Sequence, residues 1–539
     1  MSGSITLENR FGVNKMELIS LKYAIFVIVL LVLYYCFPKK YRWYVLLAGS
    51  MAYYVIICKW YVLFIIFTIC TTYGSTIWID KLLKEQNAIA KSHKEDWDRQ
   101  TRKEYKEKGR KKRVAVMLFA LLCNFGILAF LKYIPYAGEL GLLLPLGISF
   151  YTFQSMGYVM DVYREIVEPE KNFLKVALFV SFFPQIIQGP IAIYDKLAGQ
   201  LYEGHSLRLE NLQKGALLVL WGVIKKLVIA DRAVNIINFV MDKPMDFSGT
   251  YVFFAAVVYA LQLYADFSGG IDIVRGIAEM FGITMSTNFN HPYFSRSLTE
   301  YWHRWHMTLG DWCRNYIFYP LSISKRFLNF GKWLKPRFGA HISKVLPGCI
   351  ASVITFIVIG VWHGANMKYL YFGLWNGIVI MLAELFAPVN KKVAGGFFKL
   401  TGLREKGIFA TIVSVFWTFM LILVGYYFDI AANASTAFHM LFKSVTDFHI
   451  SELGINNIIL NLGACGLDEY DILLLIICTL LWFFISFVEE NKKLDMRDFI
   501  LSRKLPLRWA IIYLGIFIVI IFGYYGPGVN PADFVYMQF

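Results

Sequence analysis

Apolar residues in this chain come in runs too long and too unbroken for a soluble core. "YAIFVIVLLVLYYCF", Tyr23–Phe37, is the first of them, and comparable runs recur along the whole chain. Crossing a bilayer takes roughly 20 mostly apolar residues, and only helices or closed barrels satisfy their own backbone there. The runs do not alternate apolar with polar residues, which sets barrel strands aside. Polar surface is also scarce: of 539 residues 57% are hydrophobic and 17% charged, and the mean hydropathy is +0.51. The chain reads as an all-α, polytopic integral membrane protein in one domain, 1–539, with about 11–13 transmembrane helices plus re-entrant and amphipathic surface helices. The candidate spans include 142–162, 173–190, 212–230, 251–267 and 271–285.

The net charge of +16 sits in short stretches between apolar runs. That is the pattern of cytoplasmic loops, not of a nucleic-acid surface. Residues 81–113 hold 13 Lys/Arg against 6 Asp/Glu and are expected to be a basic cytoplasmic loop. "SKRFLNFGKWLKPRF" (Ser324–Phe338) and "NKKLDMRDFILSRKLPLR" (Asn491–Arg508) are basic and interleaved with apolar residues, as amphipathic pieces on the inner surface are. The last helix then crosses outward from Arg508, which puts the tail, 526–539, on the extracytoplasmic side. A helix starting inside near Lys344 reaches His363 after about 28 Å, in the outer part of the bilayer. The first 21 residues lack a signal-peptide pattern. The eight cysteines are scattered without a C-x-x-C pair, so neither a disulfide framework nor structural zinc is expected.

Ionisable residues at membrane depth are costly and usually functional. Four clusters carry them: "PLGISFYTFQSMGYVMDVYR", "QLYADFSGGIDIVRG", "YWHRWHMTLGDWCRNYIFYPL" and "VWHGANMKYLYFGLWNG". His303 and His306 are spaced to share a helix face. Without an H-E-x-x-H pattern no metal site is expected there. Either His306 or His363 alone reads as a buried imidazole held by a backbone carbonyl. His363 stands out because Gly364 admits close approach and Asn366 follows, and a neutral imidazole is a good base near pH 7. Asp266, Ser268 and Asp272 read first as polar partners for a helix break at Gly269–Gly270.

"SRSLTEYWHRWHMTLGDWCRNYIFYPL" and "GVWHGANMKYLYFGLWNG" resemble the two signature regions of the membrane-bound O-acyltransferase (MBOAT) superfamily. "FFPQIIQGPI", "GVIKKLVIADR", "YADFSGGIDIVRGIAEMFGI" and "NFNHPYFSRS" follow the family's order. Together they are most similar to the bacterial alginate O-acetyltransferase branch, with the teichoic-acid D-alanylation proteins as a sister branch. The resemblance implies an MBOAT fold with His363 as the catalytic histidine and His306 as the second signature histidine. Trp305, Trp312, Arg314 and Asn366 supply their context, and Trp362 is a further supporting candidate. The chain departs from the pattern at Cys313 and Asn315, and lacks the glycine pair usual after Pro320-Leu321.

The resemblance further implies a multi-pass enzyme of a bacterial cytoplasmic membrane, with no permanently bound cofactor. Its donor would be a cytoplasmic thioester, acetyl-CoA or an acyl-carrier protein. The acyl group, acetyl first, would pass to an extracytoplasmic polysaccharide with the help of a serine-type acyltransferase partner. His363 would deprotonate the attacking hydroxyl, and Asn366 or a tryptophan N–H would stabilise the oxyanion. D-alanyl transfer to teichoic acid is the alternative. A non-enzymatic polymer-precursor transporter is the alternative of another class. The ending "PADFVYMQF" resembles the family's aromatic tail motif, F-x-Y-F-Q-F, with Met537 for a Phe. There Tyr536 reads either as an acyl relay, a phenol being a better leaving group than an alkyl alcohol, or as an interfacial anchor.

Overall fold

The computed structural model describes residues 17–402, 404, 407–454, 457–458, 463–526 and 534. The described residues form helices and connecting turns, with no strand among them. Packing divides the chain into two compact units, Met1–Val219 with Ile271–Ser286, and Leu220–Gly270 with Thr287–Phe539.

In the first unit, Leu21–Cys36, Arg42–Cys58, Val62–Ser92 and Arg99–Tyr133 are the long helices. The Ser20 hydroxyl accepts from Tyr23 N to start the first, and Pro38 prevents its continuation. The basic 81–113 stretch is mostly not irregular loop. It is the facing ends of two helices, with only residues 93–98 between them and Asp98 capping the second. Ile148–Tyr163 is buried along nearly its whole length. At 16 residues it spans only about 24 Å, short of the roughly 30 Å hydrocarbon core.

In the second unit, Lys325–His363 and Met367–Leu385 pack against each other as a close pair. A Cβ on Gly360 would overlap the Tyr369 carbonyl, and one on Gly373 would overlap that of Phe356. These glycines let two backbones approach, as small residues do between membrane helices. Gly339, at φ 80° and ψ 177°, breaks the 39-residue helix. The basic piece 325–338 thus forms its own arm before the apolar stretch that ends on His363. Among the described residues two segments are π-helical, Lys225–Ala230 and Arg314–Phe318.

Seven helical stretches among the described residues are long and apolar enough to cross a membrane, or eight if the pair Met367–Leu385 and Ala387–Thr401, bent by 65°, counts as one. The chain is a polytopic, all-α membrane protein. The difference from 11–13 candidate spans has physical causes. Segments 142–162 and 173–190 fold as short helices, and 212–230 runs into the π-helical segment with its two lysines. Segments 251–267 and 271–285 merge into one continuous helix, Gly249–Met280, so no break occurs at Ser268–Gly270. This corrects the reading of Asp266, Ser268 and Asp272 as partners of a broken backbone.

Candidate active site

His306 does not share a helix face with His303. The helix Leu298–Arg304, capped by the Ser297 hydroxyl, ends one residue before an extended Trp305. His306 then adopts φ 43° and ψ 50° and starts the next helix, Met307–Cys313. Non-glycine residues avoid this left-handed region, and such strain tends to collect at functional sites.

Asn288 holds the bend together. Its Oδ1 accepts the Thr308 backbone N–H at 3.1 Å and the Thr308 hydroxyl at 2.9 Å. A backbone N–H only donates, so the atom facing it is the amide oxygen. His306 Nδ1 lies 3.2 Å from the same oxygen and must be the protonated ring nitrogen. Nε2 therefore carries the lone pair. The Asn288 backbone carbonyl also accepts Met307 N–H at 2.9 Å. The ring is 2% exposed, with Phe267 edge-on at 4.8 Å and Trp362 at 6.1 Å. Burial, and then the nearby His363, push its pKa down to about 3, so His306 is neutral at pH 7.

His363 is the last residue of the Lys325–His363 helix and is 8% exposed. Its ring stacks near Tyr369 at 5.9 Å and meets Phe372 edge-on at 5.4 Å. The Tyr369 ring fills the space where a Cβ on residue 364 would sit. Gly364 thus serves ring packing here. Asn366 is exposed and caps Met367–Leu385: Oδ1 accepts Lys368 N–H at 3.1 Å, and Nδ2 donates to the Ala432 carbonyl at 3.4 Å. Its amide is engaged in a helix cap and it does not line the cleft.

Both histidines line one cleft, together with Trp305, Tyr301, Tyr426, Asn376 and Asp429. The proton direction there can be worked out. Tyr293 donates its only proton to the Ala260 carbonyl at 2.6 Å. In the 3.1 Å contact between Tyr293 and Tyr426 the donor is then Tyr426, and in the 2.7 Å contact between Tyr426 and Tyr301 it is Tyr301. Tyr301 thus heads a one-way chain, donating to Tyr426. The Asp429 carboxylate accepts from Tyr259 at 2.7 Å. Asn376 Oδ1 accepts from Trp302 Nε1 at 3.0 Å, and its Nδ2 donates to the Phe372 carbonyl at 2.9 Å. With His306 Nε2, these groups place proton acceptors on the lining, beside the indole N–H of Trp305, which can only donate. The lining suits a ligand that brings a hydroxyl.

Trp305 stacks on Tyr301 at 5.7 Å. Arg314 pairs with Asp311, is partly exposed and does not line the cleft. Asp266 and Ser268 do not line it either. Asp266 binds Lys226 at 2.7 Å, and Ser268 accepts from Lys225 at 2.9 Å. Tyr536 lies outside the described residues. Asn288, Tyr301, Tyr426 and Asp429 escaped the sequence reading. Only Asp429 carried a signal, a carboxylate inside the apolar "VGYYFDIA".

Residues 169–335 match the model of the membrane-bound O-acyltransferase family. His306 falls inside the match and His363 beyond it. The chain is 30% identical over 315 residues to a probable alginate O-acetylase of Pseudomonas syringae pv. tomato, covering 58% of this chain and 54% of that protein. It is 30% identical over 314 residues to a peptidoglycan O-acetyltransferase of Helicobacter pylori, covering 51% and 56% respectively. It is 26% identical over 288 residues to a teichoic acid D-alanyltransferase of Bacillus subtilis, covering 52% and 67%. The chain thus spans little more than half the length of the first two relatives.

Proposed function

Starting from the chain's membership of the membrane-bound O-acyltransferase family, we propose that it transfers a short acyl group, acetyl first, from a thioester to a hydroxyl. The observation that carries this reading is the pairing of His306 and His363 in one cleft whose polar lining accepts protons.

In the proposed step His363 takes the hydroxyl proton while the oxygen attacks the thioester carbonyl. A C–O bond forms, the C–S bond breaks, and the proton passes on to the departing thiolate. His306, neutral and held by Asn288, offers Nε2 as a hydrogen-bond acceptor beside the reacting groups. A thioester is activated enough for a hydroxyl with a nearby base to attack it. The donor is an acyl-CoA or an acyl-carrier protein on the cytoplasmic side of a bacterial cytoplasmic membrane. The final acceptor is a cell-surface polysaccharide, reached through a serine-type acyltransferase partner. The immediate acceptor is the Tyr536 phenol, whose aryl ester hands the group on. Phenol, with a pKa of about 10, leaves more readily than an alkyl alcohol.

D-alanyl transfer is the second reading, and the similarity to a teichoic acid D-alanyltransferase favours it. The test uses the purified full chain in lipid nanodiscs with labelled acetyl and D-alanyl thioesters in parallel. Label should appear on the protein or an added acceptor, and His363→Ala should remove it while the protein stays folded. Full transfer by His363→Ala would take His363 out of the mechanism. Tyr536→Phe should remove the protein-bound ester, and normal polymer acylation by that variant would reduce Tyr536 to an anchor.

A further inference from the structure

The charge of Asp429 plays no part in the chemistry above. Asp429 is the last residue but one of the Ile408–Ile430 helix and is half-buried. Its Oδ2 accepts from Tyr259 at 2.7 Å. Among the described residues no lysine or arginine forms an ion pair with it. The Lys368 ammonium donates instead to the backbone carbonyls of Asp429 and Ala431, at 2.7 Å each, and lies over the Tyr369 ring at 4.7 Å. A carboxylate offers about four lone-pair sites, and drawing it out of water is costly unless it is paired and hydrogen-bonded. One phenol offsets only part of that cost.

The surroundings of this carboxylate are aromatic. The rings of Tyr301, Trp302, Trp305, Phe372 and Tyr426 line the same cleft, and among the described residues no lysine or arginine lines it. Trp305 stacks on Tyr301 with planes 19° apart, whereas Tyr426 meets Trp305 at 62°, with centroids 6.4 Å apart. Ring planes of two orientations thus bound the space. The face of each ring is the negative pole of its quadrupole and attracts a cation, most strongly when desolvated.

Activating a hydroxyl does not call for this charge. An O–H can be oriented by a neutral acceptor, and His306 Nε2 offers one. A full negative charge among aromatic rings is an expensive way to do that task. It is matched instead to a ligand of opposite charge, and it turns anions away.

We propose that Asp429, with the rings of Tyr426 and Trp305, forms a subsite for a primary ammonium group on the substrate. Such a group has two sources: the α-amine of an aminoacyl thioester, or the amine of an amino sugar that brings the accepting hydroxyl. The subsite deepens the acyltransferase reading and rests on it for the reaction, while the binding rests on the lining alone.

The test is binding, measured by calorimetry on the full chain in nanodiscs with probes that do not react. The first pair is D-alanine N-ethylamide and isobutyric N-ethylamide, which differ by ammonium for methyl and carry a stable amide in place of the thioester. The second pair is methyl glucosaminide and methyl glucoside, which differ by ammonium for hydroxyl. In one of the pairs the wild type should bind the ammonium member at least about tenfold more tightly, as expected for a hydrogen bond to a charged group. A preference in the first pair assigns the ammonium to the donor, and one in the second pair to the acceptor. Asp429→Asn keeps an acceptor for Tyr259 and should erase the preference, whereas Tyr259→Phe keeps the carboxylate and should retain it. Equal affinities within both pairs would overturn the subsite. So would a preference that survives Asp429→Asn or is lost in Tyr259→Phe. A preference without acyl transfer by the wild type would sink the acyltransferase reading and leave the subsite standing; transfer without a preference would do the reverse.

Discussion

Asn288→Asp is the sharpest probe of the cleft. The substitution is isosteric, and a carboxylate keeps all three hydrogen bonds that Asn288 Oδ1 accepts from Thr308 and His306. What changes is charge. A carboxylate 3.2 Å from His306 Nδ1 attracts an imidazolium by about 5 kcal/mol at an effective dielectric of about 20, which would raise the His306 pKa above its wild-type value of about 3. Two results with opposite signs follow. In the wild type the folded pKa lies below the ordinary 6.5 of histidine, so this group's contribution is complete above pH 6.5. It is lost as pH falls towards 3, at about 1.4 kcal/mol per pH unit. In Asn288→Asp the folded value moves up towards the unfolded one, and this acid loss shrinks. Activity moves the other way. Protonation removes the Nε2 acceptor, so acyl transfer by the variant should fall along an acid limb at higher pH than any limb His306 gives the wild type. The assay is acyl transfer from a labelled thioester between pH 5 and 8, paired with thermal melts by tryptophan fluorescence. Superimposable pH profiles for the two proteins would refute the assignment of the Nδ1 proton to Asn288.

Asp429→Asn keeps an acceptor for Tyr259 but removes the cleft's carboxylate, and should lower acyl transfer with an unchanged melting temperature in steady-state assays. Gly373→Ala would force the helix pair apart at the Phe356 carbonyl and should cost about 1–3 kcal/mol, whereas Gly395→Ala, with open space around it, should be neutral or stabilising by thermal melt. Cysteine introduced at Lys94, in a background without reactive native cysteines, should resist an impermeant thiol reagent in intact cells. Ready labelling would reverse the predicted orientation.

What the sequence made legible was local or strongly patterned. Long apolar runs announce helices, and the two histidine regions stand out because ionisable groups there are costly. The misreadings share a cause, since each depended on backbone geometry or distant partners. The Gly269–Gly270 pair suggested a break, yet the helix passes through, with Gly269 in close approach to the Gly222 carbonyl. His303 and His306 had helical spacing, but the left-handed residue at 306 turns the chain between them. Asn366 looked like an oxyanion donor because it follows His363 in sequence, and in the fold it caps a helix. Tyr426 and Asp429 arrive in the cleft from the Ile408–Ile430 helix, whose sequence carries no motif, because tertiary packing alone brings them there.

The cations of the second unit sharpen the chemical reading. Lys226 is held by Asp231 and Asp266, Arg304 by Glu300 and Glu490, and Arg314 by Asp311. Lys368 donates to the Asp429 and Ala431 carbonyls, at 2.7 Å each. These charges are spent on holding elements together. The acceptor atoms worked out above in the cleft are His306 Nε2, the Tyr301 phenol oxygen and the Asp429 carboxylate, with the Trp305 indole N–H a donor on the same lining. A site that binds an anion would turn its cations and N–H groups inward. A site that activates a hydroxyl needs the reverse, acceptors that orient the O–H and a neutral imidazole to receive its proton. Of the two partners in a thioester-to-hydroxyl transfer, the arrangement on the Leu298–Cys313 bend is therefore matched to the nucleophile. In the proposed transfer the thioester would arrive already activated, and the hydroxyl would be the partner that needs the protein's help.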